Sequence, residues 1–132
     1  MEITVSNEQG RVPVTVFRVK GDINMNTSDQ LMTQARQAIE SGARDLVLDF
    51  SEVPYMSSAG IRVLNSLFSM LRGDTPAESD AAMKQGLRDG TFKSPHLKLV
   101  NPTRHVREVL SMAGFDMFLE IHPNLKDALA SF

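Results

Sequence analysis

The chain has 132 residues, of which 42% are hydrophobic and 23% are charged, and this length accommodates one hydrophobic core and predicts a single domain. Its formal net charge is −2, and it lacks the basic block that marks nucleic-acid-binding proteins. The sequence has no cysteine, which excludes disulfides, thiolate catalysis and cysteine-ligated metals and is compatible with a reducing cytosol.

The amino-terminal segment, MEITVSNEQGR, has neither the basic start nor the apolar stretch of a signal peptide. No later segment approaches the roughly 20 apolar residues that are needed to span a membrane. We therefore expect a soluble, cytoplasmic protein that does not insert into a membrane.

Alternating apolar residues indicate two β-strands near the amino terminus. Ile3 and Val5 alternate with polar residues, and the alternation returns after Gly10 across residues 12–19. Pro13 cannot donate a ladder hydrogen bond, so it places the start of the second strand at an edge or a bulge. The two strands together predict a hairpin.

A turn and a first helix follow the hairpin. Residues 21–24, with the sequence GDIN, are typical of a turn, and Asn26, Thr27 or Ser28 is placed to cap a helix. Gly42 is a natural stop for that helix. The predicted apolar face of the helix consists of Leu31, Ala35, Ala38 and Ile39.

The most informative stretch is residues 46–64, LVLDFSEVPYMSSAGIRVL, which predicts a buried strand, a polar turn and an amphipathic helix. The strand, residues 46–50, is apolar apart from Asp49, as expected when both of its faces are covered. Ser57 and Ser58 lie at the helix start, where a hydroxyl can cap unpaired backbone N–H groups and a phosphate would meet a favourable dipole. The predicted apolar stripe of the helix comprises Ile61, Leu64, Phe68 and Leu71, with Leu67 beside it.

The remaining elements alternate between strand and helix. Residues 97–100 and 117–121 predict short strands, Pro102 and Thr103 open a helix that ends at Gly114, and Pro123 opens a terminal helix. The apolar residues of these two helices are Val106, Val109, Leu110 and Ala113 in the first and Leu125, Ala128 and Leu129 in the second. Because alternation requires crossover connections, we expect an α/β fold with a largely parallel sheet, an amino-terminal antiparallel hairpin and about four helices.

Residues 73–95 are polar, and they form a longer connection than the roughly 12–15 residues beyond which a structureless link becomes unusual. We predict a long polar insertion here that is either mobile or a binding element. Residues 81–87 have the composition for one or two helical turns, with Ser79 or Asp80 as the cap.

Four motifs in this order resemble the STAS domain family, which includes the bacterial anti-sigma factor antagonists. They are GDIN at residues 21–24, LVLDFSEV at 46–53, MSSAG at 56–60 and NPTRHVREVLSMAGF at 101–115. Each motif is weak by itself, and their order and spacing carry the resemblance. It covers nearly the whole chain and implies one STAS domain over residues 1–132, with a STAS-like mixed sheet.

The resemblance implies a partner-switching protein. In this family the unphosphorylated antagonist binds an anti-sigma factor that is also a serine kinase of the GHKL type, and phosphorylation of one serine at the helix start ends that binding. A PP2C-type phosphatase restores it. The family's phosphorylated serine falls on Ser58, and the neighbouring Ser57, which stands where the family often has aspartate, is the alternative.

The same resemblance implies a partner-binding surface on the two turns and the start of the helix. Its residues are Asp22, Asn24, Met56, Ser57, Ser58, Ala59, Gly60 and Arg62. Three of these depart from the family pattern, since Ser57 stands where the family often has aspartate, Ala59 replaces a hydroxyl residue and Asn24 replaces an acidic one. No cofactor and no metal are implied.

Two alternative functions are open from the sequence. Some STAS-like proteins are accessory or ligand-responsive subunits of transport or signalling systems, and a hydrolase would use Ser58 as a nucleophile with His105 and Asp49. Met56 replaces the first glycine of the GxSxG elbow that such a hydrolase needs, so we predict a protein that is not an enzyme.

Other polar and sulfur-containing residues are expected to have ordinary structural roles. We expect Asp22 and Asp49 to be solvated or capping acids. The three histidines have no metal-ligand spacing, and we expect them at the surface. The histidines are His96, His105 and His122. Met25, Met32, Met56, Met70, Met83, Met112 and Met117 are expected to fill gaps in the core or an interface, with Met56 a candidate for exposure beside the serines.

Overall fold

The computed structural model describes residues 1–72, 96–117 and 119–132. Within these ranges a five-stranded sheet has the order β1-β2-β3-β4-β5. The strands are β1 (Glu2–Gln9), β2 (Pro13–Lys20), β3 (Leu46–Glu52), β4 (Leu97–Val100) and β5 (Glu120–His122). The helices are α1 (Ser28–Glu40), α2 (Ser58–Arg72), α3 (Arg104–Met112) and α4 (Leu125–Ala130), and a 3₁₀ turn spans Phe115–Met117. The insertion predicted at residues 73–95, with its helical turns, lies outside the described residues.

The strand directions confirm the predicted fold class. β1 and β2 form the expected antiparallel hairpin in an unbroken register from Glu2↔Lys20 to Gln9↔Pro13. Pro13 is the first residue of β2, a position where its missing N–H is tolerated. β3, β4 and β5 continue the sheet in parallel from β2, so helices must carry the chain back between them. None of the described helices is long and apolar enough to cross a membrane.

The first helix begins and ends close to the predicted points. Thr27 occupies the N-cap position of α1, but its side chain makes no capping hydrogen bond, so the expected side-chain cap is not present there. The Thr27 hydroxyl instead accepts a hydrogen bond from the Asn24 N–H and donates one to the Asp22 carbonyl, both at 2.9 Å. Gly42 ends the helix with a φ of 110°, a conformation that favours glycine.

The sheet has two unequal faces because successive strand residues point in opposite directions. The larger core lies on the face covered by α1, α2 and α3. It includes Phe17, Leu48 and Leu99 from the strands and Leu31, Leu64, Leu67, Val106 and Leu110 from the helices. The opposite face carries a smaller cluster beneath α4, formed by Val14, Val16, Val47, Val100 and Ala128.

Three predicted details need correction. The buried face of α2 includes Val63 and Leu67, whereas Ile61 and Phe68 are only half-buried at its margin. Ala113 lies beyond the end of α3 and is exposed. The last strand is Glu120–His122 rather than 117–121, because the chain first makes the 3₁₀ turn after Gly114.

Candidate functional site

Two segments that are far apart in sequence meet at one edge of the sheet. Ile23, in the turn after β2, forms a parallel bridge with Met56, in the turn after β3. The Ile23 N–H donates to the Tyr55 carbonyl, and the Ser57 N–H donates to the Ile23 carbonyl, both at 2.9 Å. The GDIN and MSSAG motifs therefore form one hydrogen-bonded surface at the start of α2.

The two neighbouring serines have different environments. Ser57 is half-buried, and its hydroxyl accepts a hydrogen bond from the Ala59 N–H at 3.2 Å while its carbonyl accepts one from the Gly60 N–H at 3.0 Å. This is the arrangement of a helix-capping residue. Ser58 is the first residue of α2 and is exposed, and its hydroxyl makes no hydrogen bond to any residue that the structure describes. A modifying protein can reach Ser58 more easily than Ser57.

The residues on either side of Ser58 are partly interior. Met56, Ala59 and Gly60 are buried and form the inner side of the turn. Met56 is therefore not the exposed contact residue that the sequence had allowed. A Cβ added at Gly60 would overlap the Cγ and Sδ atoms of Met56 and lie 3.2 Å from Ile23 Cγ2. Glycine at position 60 allows α2 to start directly against the bridge. Arg62 is exposed, one helical turn beyond Ser58.

The neighbouring turn contributes one exposed and one internally bonded polar residue. Asp22 is exposed. The Asn24 side-chain oxygen accepts hydrogen bonds from the N–H groups of Asn26 at 2.9 Å and Thr27 at 3.2 Å. Asn24 thus forms an Asx turn that shapes the approach to α1. An acidic residue here would also have accepted these bonds, so the local structure does not need the charge that the family often has.

A shallow depression of about 450 Å³ connects the Ser58 turn to α3. Its walls are Tyr55, Met56, Ser57, Ser58 and Ile61 on one side and His105, Val109, Met112 and Ala113 on the other. The rings of Tyr55 and His105 stack across it with centroids 5.0 Å apart. Tyr55 is 46% exposed and Met112 is 89% exposed, so apolar atoms face solvent beside Ser58.

Sequence reasoning did not place Tyr55 or Met112 in the site. Tyr55 is the protein's only tyrosine and stands three residues before Ser58, which was the available signal. Met112 had no such signal, because only the packing of α3 brings it near. Met25, Met112 and Met117, which were expected in the core or an interface, are 76%, 89% and 48% exposed, so they do not fill the core of this chain and only the interface role stays a prediction.

The histidines are less exposed than predicted. His105 and His122 are half-buried, and their Nε2 atoms are inaccessible and make no hydrogen bond to the described residues. His122 Nε2 lies 3.3 Å from Glu120 Oε1, and His96 Nδ1 lies 2.9 Å from Asp45 Oδ1. Partial burial of the two rings corrects the expectation of surface histidines.

The hydrolase arrangement is not assembled among the described residues. Asp49 accepts hydrogen bonds from the Ser51 hydroxyl at 2.7 Å and from Arg18 Nε at 3.4 Å, and none of its hydrogen bonds involves His105. His105 stacks on Tyr55 without a bond from Nε2 to Ser58. A general base oriented by a carboxylate is what such catalysis requires. No group of metal-ligating side chains occurs in residues 1–72, 96–117 and 119–132.

Known proteins share this sequence pattern and this fold. The profile of the STAS domain family matches residues 5–74. BtrV of Bordetella bronchiseptica, described as a candidate anti-sigma factor antagonist, is 26% identical over 132 residues, which cover 100% of this chain and 95% of that protein.

Solved structures give the same result for the fold. A candidate anti-sigma factor antagonist from Thermotoga maritima superposes with a TM-score of 0.72 at 16% identity, covering 96% of this chain and 91% of that one. The anti-sigma factor antagonist SpoIIAA in its unphosphorylated form gives a TM-score of 0.63 at 15% identity, over 96% and 93% of the two chains. Bacillus SpoIIAA in its phosphorylated form gives 0.65 at 16% identity, over 97% and 96%.

Proposed function

Because this chain belongs to the STAS domain family, we propose that it is an anti-sigma factor antagonist that works by partner switching. The unphosphorylated form binds an anti-sigma factor that is also a serine kinase of the GHKL type. Phosphorylation of Ser58 releases that partner, and a PP2C-type phosphatase returns the protein to its binding form. The similarity to BtrV, a candidate anti-sigma factor antagonist, and to the anti-sigma factor antagonist SpoIIAA supports this proposal.

The observation that carries the proposal is the contrast between the two serines. Ser58 is exposed at the first position of α2 with its hydroxyl unbonded to the described residues, whereas Ser57 is half-buried and caps the helix through the Ala59 N–H. A kinase needs a hydroxyl that it can surround. Ser58 meets that requirement without any change in the fold.

A phosphate on Ser58 affects the protein and its partner differently. It adds about −1.5 to −2 charges and three acceptor oxygens. The amino end of α2 tolerates this charge because its first N–H groups supply positive potential, so the domain stays folded. A partner packed on the apolar atoms of Tyr55 and Met112 would have to bury the same charge. A loss of about 3 kcal/mol is enough to weaken binding more than a hundredfold.

In this scheme the chain is a substrate and a ligand and not an enzyme. It provides a hydroxyl, while the kinase supplies the nucleotide, the metal ion and the base for phosphoryl transfer. Asp49 is hydrogen-bonded to Ser51 and Arg18 and not to His105, which supports this assignment. The side chains available to contact the partner are then those of Asp22 and Arg62, together with the exposed surface around Tyr55.

The test begins with mass spectrometry of the protein purified from its native cells. We expect phosphate on Ser58 and a co-purifying kinase, which is then produced and assayed with ATP against wild type, Ser58→Ala, Ser58→Asp and Ser66→Ala. Ser66 is an exposed serine on the same helix and is the matched control. Ser58→Ala should bind the kinase without accepting phosphate, and Ser58→Asp should bind about a hundredfold more weakly.

Two results contradict the proposal. One is equal affinity of Ser58→Ala and Ser58→Asp for the kinase, since the switch depends on charge at that position. The other is phosphorylation of the Ser58→Ala protein at the wild-type rate, which would move the modified hydroxyl elsewhere. Circular dichroism of each variant separates these outcomes from simple misfolding.

A further inference from the structure

Among the residues that the structure describes, nothing pairs with one row of backbone hydrogen-bonding groups on the first strand. β1 is the outermost strand of the sheet order, and it is eight residues long. The other edge strand, β5, has only three residues. Strand edges offer unpaired N–H and C=O groups to another chain, and a long edge offers more of them than a short one.

The register identifies which residues hold those groups. The Thr15 N–H donates to the Asp45 carbonyl, so odd-numbered residues of β2 face β3 and even-numbered ones face β1. Ser6 pairs with Val16, so the even-numbered residues of β1 are the ones that bond to β2. The backbone groups of β1 that pair with no described strand therefore belong to Ile3, Val5, Asn7 and Gln9.

β1 lacks several of the features that commonly protect an edge strand, and its two charged residues, Glu2 and Glu8, lie near its ends. It contains no lysine and no proline, and its register with β2 has no bulge. Val5 is 45% exposed in the middle of the strand. An exposed β-branched residue between unpaired backbone groups suits the side chains of another strand.

We propose that β1 pairs with β1 of a second copy of this chain, antiparallel about a two-fold axis at Ser6. In this register Ile3 faces the partner's Gln9 and Val5 faces the partner's Asn7. All four unpaired residues of each copy then find partners, which gives about eight hydrogen bonds between the copies. Glu2 of each copy comes opposite the partner's Gly10. The partner's Arg11, which is exposed, lies next to that position, so opposite charges meet at each end of the paired strands.

Other two-fold registers are poorer. An axis at Val5 would place Glu2 opposite the partner's Glu8, and like charges directly opposite one another are destabilising. An axis at Asn7 moves Ile3 of each copy beyond the partner's Gln9, so the four backbone pairs of the Ser6 register fall to three. The Ser6 axis is the one that joins every unpaired group and separates the two acids.

The absence of native cysteine allows a direct test of this register. Ser6 meets Ser6 of the partner as a non-hydrogen-bonded pair, in which the Cα atoms lie about 4.5 Å apart, within the range for a disulfide. The full-length Ser6→Cys variant should form a covalent dimer on mild oxidation. Thr4→Cys, whose residue would face the partner's Glu8, is the matched control and should cross-link about tenfold more slowly.

Sedimentation equilibrium of the full chain then measures the dimer itself. We expect wild type to form dimers with a dissociation constant no higher than about 1 mM. Val5→Lys and Val5→Pro should raise that constant about tenfold or more. The Val5 N–H points away from β2, so proline there removes no hairpin hydrogen bond. Thr33→Lys, which adds the same charge to an exposed position on α1, should leave the dimer unchanged.

Three outcomes overturn the proposal: a wild-type protein that is monomeric at every concentration, a dimer unaffected by Val5→Lys, or equal cross-linking of the two cysteine variants. If Val5→Pro fails to fold, Val5→Lys and the cysteine pair decide the question. These measurements involve neither Ser58 nor a kinase, so their failure leaves the partner-switching proposal untouched.

Discussion

Ser57 and Ser58 are adjacent, yet their hydroxyl groups have different structural environments. Both are polar side chains at a helix start, and the sequence predicts a cap there without deciding which residue provides it. The structure gives the capping bond to Ser57, through the Ala59 N–H, and leaves the Ser58 hydroxyl in solvent. The hydroxyl that caps the helix and the hydroxyl that is accessible for the proposed modification therefore belong to different residues.

This division predicts opposite effects for the two alanine variants. Ser57→Ala removes the cap and should lower the free energy of unfolding by about 1 kcal/mol, while Ser58 remains a kinase substrate. Ser58→Ala should change stability by less than about 0.5 kcal/mol and lose the phosphate. Urea unfolding and a phosphorylation assay on the same preparations measure both effects. A folded Ser57→Ala protein that accepts no phosphate would identify Ser57 as the modified residue.

At the scale of elements, periodicity predicted the strands and helices better than it predicted their faces. The alternation of Ile3, Val5 and residues 12–19 was enough for the hairpin because its turn is local. The buried face of α2 is rotated slightly from the predicted stripe, since Val63 and Leu67 face the sheet while Phe68 lies at the margin. A helix rich in apolar residues on several sides does not reveal which neighbour it will pack against.

Lys98 is an element-scale feature that no sequence pattern indicated. It lies on the short strand β4 and is only 2% exposed. Its ammonium is 2.9 Å from the Ser131 carbonyl, the Ser131 hydroxyl and Glu120 Oε2, and it lies 4.5 Å from the centroid of the Phe132 ring. A buried cation needs this complete set of partners. One lysine thus joins β4 to β5 and to the residues after α4.

Substitutions at this pair should differ in cost. Lys98→Met keeps most of the side-chain volume and leaves Glu120 and Ser131 free to turn to water, so we expect a change within about 1 kcal/mol. Glu120→Ala leaves the buried ammonium without its counter-charge and should cost about 1–3 kcal/mol. Chemical denaturation of both variants and of the double variant gives the coupling. A larger loss for Lys98→Met than for Glu120→Ala would contradict this account.

At the scale of the whole molecule, the candidate site is a product of topology. The turn after β2, the turn after β3 and the side of α3 meet at one sheet edge, although they come from distant parts of the sequence. Family resemblance identified the first two because their motifs are contiguous. It could not identify the Tyr55–His105 stack, which exists only once α3 is packed beside α2.

The same topology predicts that residues 73–95 can be replaced. β3 and β4 are parallel, so α2, with 15 residues and a length of about 22 Å, already returns the chain to the sheet edge where β4 begins. Connections of about 2–6 residues suffice for such a return. Residues 73–95 are polar in sequence and offer few apolar side chains for a core. A chain with residues 74–94 replaced by about six Gly and Ser residues should keep its sheet.

We expect this shortened chain to unfold cooperatively, with a free energy of unfolding within about 1 kcal/mol of wild type, and to accept phosphate on Ser58. Calorimetry and the kinase assay give the two readouts independently. Loss of cooperative unfolding would show that residues 73–95 belong to the core. Normal stability with slower phosphorylation would instead assign residues 73–95 to recognition of the kinase. The serine turn lies at the carboxyl ends of the strands, whereas this connection leaves α2 and enters β4 at their amino ends, so shortening it should not disturb the turn directly.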